Sequence, residues 1–89
     1  MRLERTDAGF TIEAGELGVL LGLAADDVRR MMREGGITTR TERGEGAAAG
    51  RYRLSFFSPE RRVQLIVDEA GEVLQRSRVA RGVRRPGVA

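Results

Sequence analysis

The stretch that most constrains this chain is "RYRLSFFSPERRVQLIVD", residues 51–68. Tyr52, Leu54 and Phe56 alternate with Arg51, Arg53 and Ser55, and Val63, Leu65 and Val67 alternate with polar neighbours after a "SPER" turn. A period of two belongs to a strand, whose successive side chains point to opposite faces. Two such runs joined by a short turn with Pro59 predict an antiparallel pair with one apolar face. That face has to be covered, and the rest of the chain must supply the cover.

The cover comes from upstream. In "AGELGVLLGL", Leu17, Leu20 and Leu21 fall at i, i+3 and i+4, which predicts a first helix ended by Gly22. Gly15 and Gly18 each cost such a helix roughly 1 kcal/mol relative to Ala, so packing must hold it. A second helix is predicted over Ala25–Glu34, with Val28, Met31 and Met32 as its apolar stripe and Asp26 and Asp27 in its first turn. Ala24 is a weak N-cap, and Gly35 fits a left-handed C-cap that lets Ile37 fold back onto the helix. "LERTDAGFTIEA" reads as a hairpin around Asp7–Gly9, "ITTRTERG" as a strand, "EGAAAG" as a loop and "EVLQRSRV" as a last strand after the "DEAG" turn.

The expected fold class is therefore α+β, an antiparallel sheet (hairpin plus meander) with a two-helix pair packed on one face. The expected core joins Tyr52, Leu54, Phe56, Val63, Leu65 and Val67 to Leu17, Leu20, Leu21, Val28, Met31 and Met32. Residues 1–79 form a single domain, and 80–89 form a flexible Arg-rich tail without periodicity. The second sheet face is mostly polar, interrupted by Phe57, Ile66 and Leu74, the candidate apolar interface.

Chemistry is narrowed by what is missing. The 89 residues contain no Cys and no His, which removes thiolate nucleophiles, zinc thiolates and the commonest general base and metal ligand. Asp26 and Asp27 diverge on a helix, and Asp68 and Glu69 sit in a turn, so neither pair suits glycosidase or metal chemistry. "RGEGAAAGR" has no P-loop Lys-Ser/Thr pair and stands between strands. No enzyme, no cofactor and no metal is expected. No secretory signal and no spanning run is visible, which makes the cytoplasm the expected location.

Charge is uneven. All 16 basic residues are Arg, residues 1–36 carry five Arg against seven acids, and residues 61–89 carry seven Arg against three. After Glu72 no acid follows, while Arg76, Arg78, Arg81, Arg84 and Arg85 do. Such an end attracts an acidic protein surface, nucleic acid or anionic lipid. Arg51, Arg53, Arg61 and Arg62 are candidates for a basic sheet face.

"LGVLLGLAADDVRRMMREGGITTR" resembles the opening of excisionase-type and MerR-type winged helices: helix, turn, helix, glycine, strand. That resemblance implies DNA contact through Arg29, Arg30 and Arg33. Asp26 and Asp27 depart from it, because they stand where such domains meet bases and phosphates. Over a longer span, "GFTIEA", "LGLAADDVRRMMREGGITTRTERG", "GRYRLSFF" and "RRVQLIVDEAGEVLQRSRV" are similar to a family of short alphaproteobacterial proteins of unknown function. This implies a shared fold and a stand-alone domain, and no activity. Some members of that family carry a Cys near position 41, where this chain has Thr41.

The functional expectation is a non-catalytic binding or accessory module that engages a protein partner, with an electrostatic contribution from the Arg-rich end. A winged-helix DNA-binding regulator is the first alternative, and a peripheral accessory subunit of a membrane complex the second. A homodimer is compatible with each.

Overall fold

The computed structural model describes residues 1–7 and 9–80. Along the chain run β1 (Glu4–Thr6), β2 (Gly9–Thr11), α1 (Ala14–Leu21), α2 (Ala25–Glu34), β3 (Thr38–Arg43), a 3-10 turn at Gly46–Ala48, β4 (Arg51–Phe57), β5 (Arg61–Asp68) and β6 (Val73–Ala80). The fold is α+β. Strands β3-β4-β5-β6 form an antiparallel meander in chain order, and β1-β2 form a second, two-stranded sheet of their own.

The alternation in β4 and β5 does what its period requires. Leu54 pairs with Leu65, Phe56 with Val63 and Tyr52 with Val67, so the apolar residues share one face. Leu17, Leu65, Val28, Val63 and Val67 are the largest fully buried side chains, and Leu20, Leu21, Leu54, Phe56 and Ile37 complete the centre of the core. Helix α1 lies over β5, and α2 packs chiefly on α1. The two outer strands are left uncovered on the helix side, where Thr39 and Thr41 of β3 and Arg76 and Arg78 of β6 stand exposed.

This arrangement corrects one core assignment. The apolar stripe predicts Met32 inside with Val28 and Met31, yet it is 45% exposed. Because α2 rests on α1, the buried side of α2 centres on Val28, with Met31 partly buried. Met32, about 100° further round the helix than Met31, is carried out toward β3.

Both helices end at the expected glycines, and neither has a side-chain N-cap. Gly35 adopts φ 82° and turns the chain so that Gly36 N–H donates to Met31 O at 2.7 Å, which brings Ile37 back into the core. Gly18 has a different reason to be glycine. A Cβ there would collide with the carbonyl oxygen of Leu23, whose own N–H donates to Gly18 O at 2.8 Å. The turn between the helices can approach α1 only where no side chain intervenes.

The N-terminal hairpin is clamped to the sheet by Arg5. Its guanidinium lies 5.4 Å from the Phe10 ring centre and 5.2 Å from that of Tyr52, and it donates to Glu69 O at 2.6 Å. Phe10 and Tyr52 meet edge to face at 5.2 Å. Before the hairpin, Met1–Leu3 run antiparallel to Gly71–Val73, with Leu3 N–H donating to Gly71 O and Val73 N–H to Met1 O.

Candidate functional site at the edges of the sheet

A four-stranded open sheet has two edges, and the hydrogen-bond pattern fixes which backbone groups each presents. Ser58 N–H donates to Arg61 O, so Arg61, Val63, Leu65 and Val67 turn their backbone polar groups toward β4. Arg62, Gln64 and Ile66 therefore turn theirs toward Val79, Ser77 and Gln75 of β6. By the same alternation the N–H and C=O groups of Arg76 and Arg78 point away from the sheet. Nearer its start, β6 carries a bulge: Ile66 pairs with Gln75 and Val67 with Val73, which leaves Leu74 as the extra residue. Upstream of the bulge the edge is covered by Met1–Leu3; downstream, at Arg76 and Arg78, no described residue pairs with it.

The side chains of Arg76 and Arg78 stand beside Leu65 and Val63 on the helix side of the sheet. Both are exposed, and neither has an acidic partner among the described residues. Of the four arginines that are candidates for a basic sheet face, Arg61 belongs by its parity with Val63 to this helix side. A Cβ on Gly22 would lie 3.2 Å from its Nη1, so the Arg61 guanidinium rests against the C-terminal end of α1, where the helix dipole favours a cation. Arg81, Arg84 and Arg85 lie outside the described residues.

The helix-free face carries the other candidates. Phe57 and Ile66 are both there and half-buried, and the row of Thr38, Phe57, Arg62 and Val79 adds an apolar residue that sequence reasoning missed, since Val79 is 47% exposed. Leu74, at the bulge, is 44% exposed. An open hollow of about 390 Å³ around Ile66 is lined by Arg53, Gln64, Gln75, Arg76 and Ser77. Arg51, Arg53 and Arg62 share this face, but Asp68 stands opposite Arg51 and Glu42 binds Arg53 at 2.9 Å. The hydrogen bond from Arg53 holds the Glu42 carboxyl below the usual carboxylate range. By strand alternation Phe57 and Ile66 lie on one face and Arg76 and Arg78 on the other, while Arg76, on the outer strand, also lines hollows shared with Ile66 and with Leu74.

On α2 two of the three arginines are occupied. Arg29 pairs with Asp26 at 2.8 Å, and Arg30 pairs with Asp27 at 3.1 Å and with Glu34 at 3.6 Å. Arg33 alone of the three has no acidic partner among the described residues. No group of acids among the described residues converges as a metal site, and none of their helices is long and apolar enough to cross a membrane.

Fold and edges together define a small α+β domain whose four-stranded meander has β3 and β6 as its outer strands among the described residues. The chain belongs to a family of unknown function, DUF6522, whose model matches residues 1–86. Neither the curated proteins nor the solved structures compared with it gave a match.

Proposed function

We propose that this protein is a non-catalytic binding module that takes an acidic, extended segment of a protein partner onto the open edge of β6. The observation that carries the reading is the coincidence, at Arg76 and Arg78, of outward-facing backbone groups and two guanidinium groups on one face that have no acidic partner among the described residues. An added strand would supply backbone hydrogen bonds, and its acidic side chains at i and i+2 would meet the two arginines. Arg61 adds positive potential on the same side. A bacterial cytoplasmic setting is part of the proposal.

The winged-helix alternative has less support. Arg29 and Arg30 are held by acids of their own helix, and the first turn of α2 carries the Asp26 and Asp27 carboxylates, which repel a phosphate approaching there. The membrane alternative leans on Arg81, Arg84 and Arg85 and draws nothing from the described residues.

The test is a fluorescence-anisotropy titration of a labelled ten-residue peptide with Glu at alternate positions, against the same peptide with Gln. Binding is expected for the Glu peptide, weakening as salt rises, and lower by about tenfold or more for the Gln peptide. Arg76→Glu with Arg78→Glu should abolish it while leaving the circular dichroism spectrum unchanged. Equal binding of both peptides, or binding indifferent to the double substitution, overturns the reading.

A further inference from the structure

The opposite edge of the sheet, β3, has a different character, independent of the reading given for β6. Gly44 N–H donates to Arg51 O at 2.8 Å, so Glu42, Arg40 and Thr38 turn their backbone groups toward β4. Thr39, Thr41 and Arg43 then present theirs outward. The strand carries no Pro, and its pairing with β4 runs without a register shift from Thr38 to Arg43. Two devices that keep an edge from pairing, Pro and a bulge, are therefore absent, and the charges that remain, Arg40, Glu42 and Arg43, are of both signs.

We infer that β3 is a homodimerisation edge, pairing antiparallel with β3 of a second copy of this chain about a twofold axis at Thr41. The register follows from two conditions. Outward-facing groups must meet outward-facing groups, and helix-side residues must stay on the helix side. Three registers satisfy both near the middle of the strand. Centring the axis on Arg40 sets Arg40 against Arg40, and centring it on Glu42 sets Glu42 against Glu42. Centring it on Thr41 sets Arg40 against Glu42 of the second copy, twice by symmetry, in non-hydrogen-bonded positions where side chains lie closest. Thr41 then exchanges hydrogen bonds with its own counterpart, and Thr39 with Arg43.

Two further observations fit this pairing. Arg40 is exposed, and its ion pair among the described residues is a long one, 3.9 Å to Glu42, while Glu42 is already bound on its other side by Arg53. Pairing would therefore build a ladder Arg53–Glu42–Arg40 across the seam. On the helix side, a groove of about 190 Å³ lined by Phe10, Ile12, Met32, Thr39 and Thr41 runs beside β3. The twofold axis keeps the grooves of both copies on one side of the joined sheet, which gives the exposed Met32 an apolar neighbourhood. Edge β6 behaves oppositely. Each of its corresponding registers sets an arginine against an arginine, Arg76 or Arg78, so it resists self-pairing and stays free for another chain.

The experiment is sedimentation velocity of the full chain at low and high micromolar concentration. The wild type should dimerise. Thr41→Pro removes an N–H that the monomer's ladder does not use and should leave the protein monomeric with its spectrum intact. Arg40→Glu sets Glu against Glu42 of the second copy, and Glu42→Arg sets Arg against Arg40; each should weaken self-association by about tenfold or more. Mixing these two variants should restore a dimer. In the mixed pair the introduced Glu faces the introduced Arg, and the native Glu42 of one copy faces the native Arg40 of the other. A wild type that stays monomeric at high concentration overturns the inference. So does a dimer that survives both Thr41→Pro and the single charge reversals, or a mixture of the two variants that fails to associate.

Discussion

Two glycines of α1, three residues apart, look equivalent in the sequence and are not. Around Gly15 nothing lies within 4 Å of an added Cβ, whereas at Gly18 that Cβ meets the Leu23 carbonyl. Gly15→Ala should therefore stabilise the domain by about 0.5–1 kcal/mol through helix propensity and a smaller unfolded ensemble. Gly18→Ala should destabilise it by about 1–3 kcal/mol, since backbone has to move to admit the methyl. Urea midpoints for the two variants decide this, and equal shifts of the same sign would contradict it. Propensity was readable at both positions; the close approach at one of them depended on how the turn at Leu23 returns. Arg5 is similar. Its stacking on Phe10 and Tyr52 joins residues far apart in the chain, and no local pattern announces it.

At the scale of elements, the two helices and the strands of the meander were legible because each carries its own period or stop signal. The second helix starts at Ala25 and ends at Glu34 as its glycine and apolar spacing require. Its role was less legible, because a helix-turn-helix outline is also how two short helices cap a sheet. The i,i+3 pairs on α2 bear on that role. If Asp26 and Asp27 hold Arg29 and Arg30 in place, Asp26→Asn with Asp27→Asn should raise affinity for nonspecific duplex DNA at low salt. The slope of log affinity against log salt should steepen by about one to two units. Mobility-shift titrations measure both. Strong binding by the native chain, lost with Arg30→Ala or Arg33→Ala, would instead restore the reader. The bulge at Leu74 escaped sequence reasoning, since an extra residue leaves the local composition of a strand unchanged.

At the scale of the molecule, α1 and its partner helix cover only the middle of the sheet. The core is correspondingly small, and one central residue carries much of it. Leu65→Ala should cost about 2–5 kcal/mol and lower the midpoint of thermal unfolding by more than about 10 °C, as read by circular dichroism. The same partial cover leaves Thr39 and Thr41 of β3 and Arg76 and Arg78 of β6 exposed on the helix side. If β3 joins two copies, the Arg76 and Arg78 edges lie at the two far ends of one continuous sheet. Such a dimer would hold a partner with repeated acidic segments more tightly than one site could.

The sequence by itself determined the elements, the apolar face of β4 and β5, the glycine helix ends and the depletion of catalytic side chains. All of these are set by period, composition or backbone freedom within a few residues. Only the tertiary structure decided that Met32 lies outside the core and that the Arg61 guanidinium rests against the end of α1. It also decided that Arg76 and Arg78 face away from Phe57 and Ile66, and that β3 and β6 are the open edges. Those outcomes depend on strand order, on hydrogen-bond parity and on which helix takes the centre of the sheet, and none of these is encoded in the spacing of neighbouring residues.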